Sequence, residues 1–183
     1  MWELKIPKPV KPVIGILASD DTCLTAAREA LAEHIGAFDL VSNIWPFTQT
    51  GYYREQTGPH ILRQFVSFEK LIHPGDLADL KHRTNDIEQA LVRQLPSSFP
   101  RPVNLDPGIV EPAKLVLAST KNFSHRIYIG RKMYAEVTLV FDKGAWCPLR
   151  YTYPDYRQQV YFAFFSKVRE KLLRQLKSAT HEE

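Results

Sequence analysis

The chain has 183 residues, 44% of them hydrophobic and 24% charged, with two cysteines and a formal net charge of +4. That length and balance support one packed core and exclude long disordered tracts and a disulfide-stapled scaffold. The modest positive charge permits an anionic partner, a nucleotide or a nucleic acid, without requiring one.

Met1 to Pro12 is basic and proline-rich and reads as a flexible arm ahead of a single domain spanning 1–183. The apolar run Val13 to Ala18 reads as a buried strand, too short for a signal core or a membrane span. No membrane association is expected. Cys23 and Cys147 lie far apart, so a cytoplasmic setting is expected. Asp20, Asp21 and Thr22 are helix-cap candidates. Leu24, Ala27, Leu31 and Ile35 then recur at helical spacing, and Gly36 supplies a stop. Phe38 to Phe47 reads as a second strand. Thr48 to Pro59 reads as a loop carrying the aromatic-basic group Tyr52, Tyr53 and Arg54. Ile61 to Phe68 alternates and reads as a half-buried strand.

His73-Pro-Gly-Asp76 is turn chemistry that launches a helix with Leu77, Leu80, Thr84, Ile87, Leu91 and Leu95 on its inner face. After a proline-rich loop come strands at Val103 to Leu105, Lys114 to Ser119, His125 to Ile129 and Tyr134 to Phe141. Gly130-Arg-Lys132 and Asp142-Lys-Gly144 serve as hairpin turns. Leu149 to Tyr153 adds a further strand. Pro154 and Asp155 open a long final helix with a basic outer face of Lys167, Arg169, Lys171, Arg174 and Lys177. The first half therefore runs strand-helix-strand-strand-helix-strand. The expected fold is α+β: a ferredoxin-like, split βαβ antiparallel sheet with helices on one face, extended by C-terminal hairpins and a long terminal helix.

Arg101-Pro-Val-Asn104-Leu-Asp106-Pro-Gly108 is the leading candidate site. Asn104 and Asp106 alternate, so on a strand they share a face. Two oxygen-bearing side chains there suit Mg²⁺, with phosphate oxygens completing its shell and Arg101 holding phosphate. The competing reading is an ordinary Asp-Pro-Gly turn. The donor-rich stretch Ala118 to Arg126 adds Lys121, His125 and Arg126 as anion ligands. Tyr151 to Arg157 offers a helix start that could hold an anion, although Asp155 as a plain cap is the simpler account. The six histidines lack zinc spacing, and no Gly-x-Ser-x-Gly elbow occurs. Ala18-Ser-Asp-Asp-Thr22 follows the first strand where a P-loop would stand, which excludes the usual P-loop NTPase.

Two resemblances follow from these residues. Trp45-Pro-Phe-Thr48, Thr50-Gly-Tyr-Tyr53, Asn104-Leu-Asp-Pro-Gly108, Leu115 to Lys121, His125-Arg-Ile-Tyr128, Tyr134 to Thr138 and Thr152-Tyr-Pro-Asp155 resemble a bacterial and archaeal family of unknown function, over nearly the whole chain. Some members carry a GTP-binding label, which the missing P-loop leaves without support. Val13 to Asp106 resembles hydroxymethyl-dihydropterin pyrophosphokinase in its order of elements. Ile87-Glu88 matches that family's Ile-Glu pair. Arg101-Pro-Val-Asn104-Leu-Asp106 matches its magnesium-binding strand, with asparagine in place of the first aspartate. The resemblance implies a ferredoxin-like core and a weakened Mg²⁺ site.

The leading functional expectation is a nucleotide- or phosphoester-binding domain, in its enzymatic form a Mg²⁺-dependent phosphotransferase. The alternative is a nonenzymatic RNA- or protein-binding module using the basic terminal helix. A third reading makes His125 a general base with Glu136 as its partner.

Overall fold

The computed structural model describes residues 2–48 and 54–180. The Tyr52–Tyr53 part of the aromatic-basic group, the Thr50-Gly-Tyr-Tyr53 stretch and His181 lie outside the described residues. The elements in chain order are β1 (Lys11–Ala18), α1 (Asp21–His34), β2 (Phe38–Val41), β3 (Trp45–Pro46), α2 (Arg54–Thr57), β4 (Leu62–Phe68), α3 (Leu77–Gln94), β5 (Val103–Glu111), β6 (Lys114–Ser119), β7 (Ile127–Gly130), β8 (Met133–Asp142), β9 (Ala145–Pro148) and α4 (Gln159–Thr180).

One nine-stranded sheet has the order β2-β4-β1-β5-β6-β8-β7, with β3 added beside β4 and β9 beside β8. Its neighbouring strands pair antiparallel. The fold is thus α+β around a large antiparallel sheet. β1 is central because Val13 to Ala18 is apolar on both faces, as a strand covered on both sides must be. Ile14 and Ile16 point to a core shared with Leu24 and Leu31 of α1 and Leu80, Ile87 and Leu91 of α3. Val13 points the other way, into a core built by Phe65, Val110, Leu139 and the α4 residues Tyr161, Phe165, Val168 and Leu172. Helices therefore cover both faces, not one. The apolar stripe of α4 needs its own sheet surface, and α1 and α3 already occupy the first.

Four boundaries differ from the sequence expectation. Lys11 and Pro12 belong to β1 and are buried, so the exposed arm ends earlier. The Phe38–Phe47 strand is broken into β2 and β3. Asp106-Pro107-Gly108 is not a turn but the middle of β5. Gly108 lets β5 approach β6: a Cβ there would lie 2.6 Å from the Val116 carbonyl oxygen. Leu149 to Tyr153 forms no strand, and a 3-10 turn at Asp155–Arg157 precedes α4. Asp155 caps nothing there because its carboxylate is taken by Arg63.

The α4 core holds two tyrosines whose hydroxyls resist ionisation. Burial pushes Tyr161 up to about 12 and Tyr156 well above 10. A raised tyrosine pKa favours the folded state while the group is neutral. Its stabilising contribution is full below the unfolded value of about 10 and is lost as pH climbs toward the folded value. Near-ultraviolet titration of the eight tyrosines should leave these two un-ionised until the fold melts, with urea stability falling between pH 10 and 12. Normal ionisation of all eight in the folded chain would contradict this.

Candidate functional site

A gap in the sheet makes the site. β5 pairs with β6 only over Gly108–Glu111, while Val103 to Pro107 pair with β1 alone. Pro107 has no N–H to donate, and it stands just before the first β6 partner. Beyond that point β6 follows β8 instead. This parting opens a cleft of about 420 Å³, lined by Asn104 and Asp106 of β5 and reached by Lys81 of α3. Its rim is formed by Thr120, Lys121, Tyr153 and Pro154, and its floor by Asn104, Arg63, Tyr156 and Phe47.

Asn104 and Asp106 do share a face, and both line this cleft with Arg101, Lys121 and Arg126. His125 does not. Its ring stacks on Tyr151 with centroids 4.2 Å apart. Its Nε2 lies 3.0 Å from Glu136 Oε2, so the pair imagined in the general-base reading does meet. That glutamate oxygen also accepts from Arg126 Nε at 2.7 Å.

Arg126 is mostly scaffold. It donates to Ser119 Oγ at 3.0 Å, to the Lys121 carbonyl at 2.9 Å and to the Tyr153 hydroxyl. These bonds with the Glu136 contact use four of its five N–H groups and fix the β6–β7 loop as one wall. Burial opposes its charge, but Glu136 and Tyr153 hold its pKa above the ordinary arginine value. Arg101 donates through Nε and Nη2 to Glu88 Oε2 at 3.0 and 2.6 Å. Glu88 Oε1 in turn accepts from the Leu105 amide at 2.7 Å. Burial raises the Glu88 pKa, against the pull of Lys81 and Arg101.

The centre of the floor is Arg63. Its Nη2 lies 2.6 Å from Asp155 Oδ2 and its Nη1 3.2 Å from Asp106 Oδ2. Its guanidinium lies 5.2–5.6 Å from the rings of Phe47, Phe65 and Tyr156. Burial works against its charge, yet Asp155, Tyr156 and Asp106 outweigh this and keep it protonated. Burial raises the Asp155 pKa although Arg63 pulls it down. Gly15 makes room for the group, since a Cβ there would lie 2.7 Å from Arg63 Nη1.

Sequence reasoning missed Arg63 and Lys81, met Glu88 only in the Ile87-Glu88 match, and gave Asp155 the role of a helix cap. The first had a signal: an arginine on the same strand face as Ile61 and Phe65. Lys81 and Glu88 sit seven residues apart on the inner face of α3, in step with Thr84 and Leu91. Asp155 stood in the Tyr151–Arg157 candidate segment, but nothing there pointed to Arg63 as its partner.

Two neutral polar groups on the floor stay unanswered. Asn104 Nδ2 and the Tyr156 hydroxyl are buried with no partner among the described residues. An orphaned buried donor costs roughly 1–3 kcal/mol. The cleft lining carries five cationic groups, Arg63, Lys81, Arg101, Lys121 and Arg126, against the three carboxylates Asp106, Glu136 and Asp155, with a fourth, Glu88, paired to Lys81 and Arg101 behind it. Asp106 and Asn104 make a sparse metal shell, and no cluster of three or more His, Cys, Asp or Glu side chains that could hold a metal occurs among the described residues. No helix among them is long and apolar enough to cross a membrane.

No curated protein and no solved structure matches the chain. The family described as "Domain of unknown function (DUF4416)" matches residues 8–172, nearly the whole sequence, and the chain belongs to that family.

Proposed function

We propose that the cleft between β5 and β6 binds a nucleotide or another phosphoester, with phosphoryl transfer as the enzymatic form of this reading. The observation that carries it is the excess of cationic groups around a cavity of about 420 Å³ that also holds unanswered polar atoms. Lys121 at the rim, Arg101 and the remaining N–H of Arg126 would meet phosphate oxygens. Asp106 already answers Arg63, so Mg²⁺ fits best as an ion carried in by the phosphates, with Asp106 and Asn104 as its only protein oxygens. The strand order β2-β4-β1-β5, with α1 and α3 on one face, favours a ferredoxin-like core beneath the site. Unpaired Cys23 and Cys147 favour a cytoplasmic setting. The RNA reading of α4 is weaker. Arg169 Nε is spent on the Pro112 carbonyl at 2.6 Å, and Lys171 lies 3.4 Å from Asp39.

Thermal melts with phosphate, pyrophosphate, ATP and GTP, each with and without Mg²⁺, test the proposal. A ligand at a hundred times its Kd adds about 2.7 kcal/mol, or roughly 5–10 °C at this chain length. Lys121→Glu should weaken the same ligand at least tenfold. No shift with any of them, or a shift indifferent to Lys121→Glu, overturns the proposal.

A further inference from the structure

We infer that the phosphoester is carried by a single-stranded nucleic acid, with one phosphate in the cleft and neighbouring bases stacked on an aromatic surface beside it. The inference rests on the phosphoester reading above and narrows its substrate class. Phe123 is 65% exposed, Tyr128 58%, Tyr153 45% and Tyr151 37%. These rings belong to one surface. Tyr128 pairs with Tyr134 across β7 and β8, and Glu136, two residues on, shares the Tyr134 face. The β6–β7 connection crosses that same face, because His125 and Arg126 both reach Glu136 Oε2. His125 contacts Phe123, at a centroid distance of 5.3 Å, and stacks on Tyr151. Arg126 also donates to the Tyr153 hydroxyl, and both of these residues line the cleft. The aromatic surface therefore runs from the cleft rim to the β7 edge of the sheet.

Charge and shape together select the occupant. No aspartate or glutamate occurs in residues 112–135 or 143–154, the stretches that supply these rings. Glu136 and Asp155, which follow them, are buried and bonded to Arg126 and Arg63. Arg131 is spent on Asp79, but Lys132 and Arg150 are exposed and form no ion pair among the described residues. Each stands beside an exposed ring. The Lys132 amide donates to the Tyr128 hydroxyl at 3.3 Å, and Arg150 directly precedes Tyr151. Cations interleaved with open aromatic faces suit a single strand, whose phosphates meet the former and whose bases stack on the latter. A duplex keeps its base faces stacked inside and offers phosphates alone. An acidic peptide would answer the charge but bring no flat rings. Four exposed rings are more than the base of one nucleotide can cover, which favours a strand over a free nucleotide.

Fluorescence anisotropy of the full chain with labelled eight-nucleotide RNA and DNA single strands, the corresponding duplexes and polyglutamate tests this. At least one single strand should bind tenfold or more tighter than its duplex and than polyglutamate. Phe123→Ala, Tyr128→Ala and Tyr151→Ala should each weaken that strand by about fivefold or more, the loss of one stacked base. Lys132→Ala and Arg150→Ala should each flatten the slope of log affinity against log salt by about 0.7, the loss of one phosphate contact. None of these variants should alter the melting shift given by phosphate, pyrophosphate, ATP or GTP, because all lie outside the cleft. A duplex or polyglutamate that binds as tightly as the strand overturns the inference, as does strand binding indifferent to all three ring variants. No strand binding beside a retained melting shift overturns it and leaves the phosphoester reading standing. Strand binding without any such shift puts the strand outside the cleft and overturns both, as does the absence of strand binding and shift alike.

Discussion

Replacing Arg63 by alanine is expected to remove about 3–5 kcal/mol of stability, the usual result of deleting one partner of a buried ion pair. Arg63 is 2% exposed, and the Asp155 carboxylate it holds at 2.6 Å is equally shut off from water. Without the guanidinium, Asp155 becomes a buried charge with no counterion, and the surrounding rings of Phe47, Phe65 and Tyr156 lose their cation. At about 2–4 °C per kcal/mol in a chain of this size, Tm should fall by roughly 10 °C. Arg63→Lys should recover little, because one ammonium cannot bond two carboxylates from separate nitrogens while lying flat among three rings. Arg63→Leu combined with Asp155→Asn should recover most of the loss, because it removes both charges.

The pH dependence has a definite sign. Burial already raises the Asp155 pKa in the wild type, and loss of Arg63 raises it further. A carboxyl whose folded pKa is raised contributes stability that is present below its unfolded value, near 3.8, and is lost as pH rises through the folded one. The deficit of Arg63→Ala should therefore be largest at pH 7 and shrink toward pH 5. Urea melts at the two pH values measure it. Wild-type stability at pH 7, or a deficit that grows on acidification, refutes the account.

How far the sequence carried these conclusions depended on which interactions were local. The α1 cap was legible because Asp20 Oδ1 accepts from Cys23 N three residues on, at 2.7 Å. Alternation aimed Asn104 and Asp106 at one face because a strand repeats every two residues. The Asp-Pro-Gly reading as a turn failed for a non-local reason: β1 and β6 claim both edges of β5 at Gly108. Arg63, Asp106 and Asp155 are separated by 43 and 92 residues along the chain from the first of them, and nothing in the spacing links them. Proline at positions 9 and 12 made Lys11 look like linker, although it is one of the most deeply buried side chains in the fold.

That lysine leads to the second large expected effect. Lys11 Nζ forms an ion pair with Asp39 Oδ2 at 2.5 Å and donates to the Phe68 carbonyl at 2.8 Å and to Gln175 Oε1 at 2.7 Å. Asp39 is closed off as well, accepting from Ser67 Oγ at 2.5 Å with Lys171 3.4 Å away. One ion pair thus ties β1, β2, β4 and α4 together across the sheet. Asp39→Ala should cost about 3–5 kcal/mol, since it leaves a buried ammonium with neutral partners only. Lys11→Met should cost less, because Lys171 still answers Asp39. Burial pushes the Lys11 pKa down from 10.5, and removing Asp39 pushes it further. A lysine whose folded pKa is depressed binds fewer protons in the folded state, so stability rises with pH between the folded and unfolded values. The Asp39→Ala deficit should therefore shrink from pH 7 to pH 9, opposite in direction to Arg63→Ala. Burial resists ionisation of Asp39, but Lys11 and Ser67 hold its pKa below 3.8. Its stabilising contribution is present above that value and lost as pH falls through the folded one, so the variant should also lose part of the wild type's acid sensitivity. Paired urea melts of the two variants across pH 5 to 9 read both slopes. Parallel slopes would mean that neither ion pair carries the buried charge assigned to it.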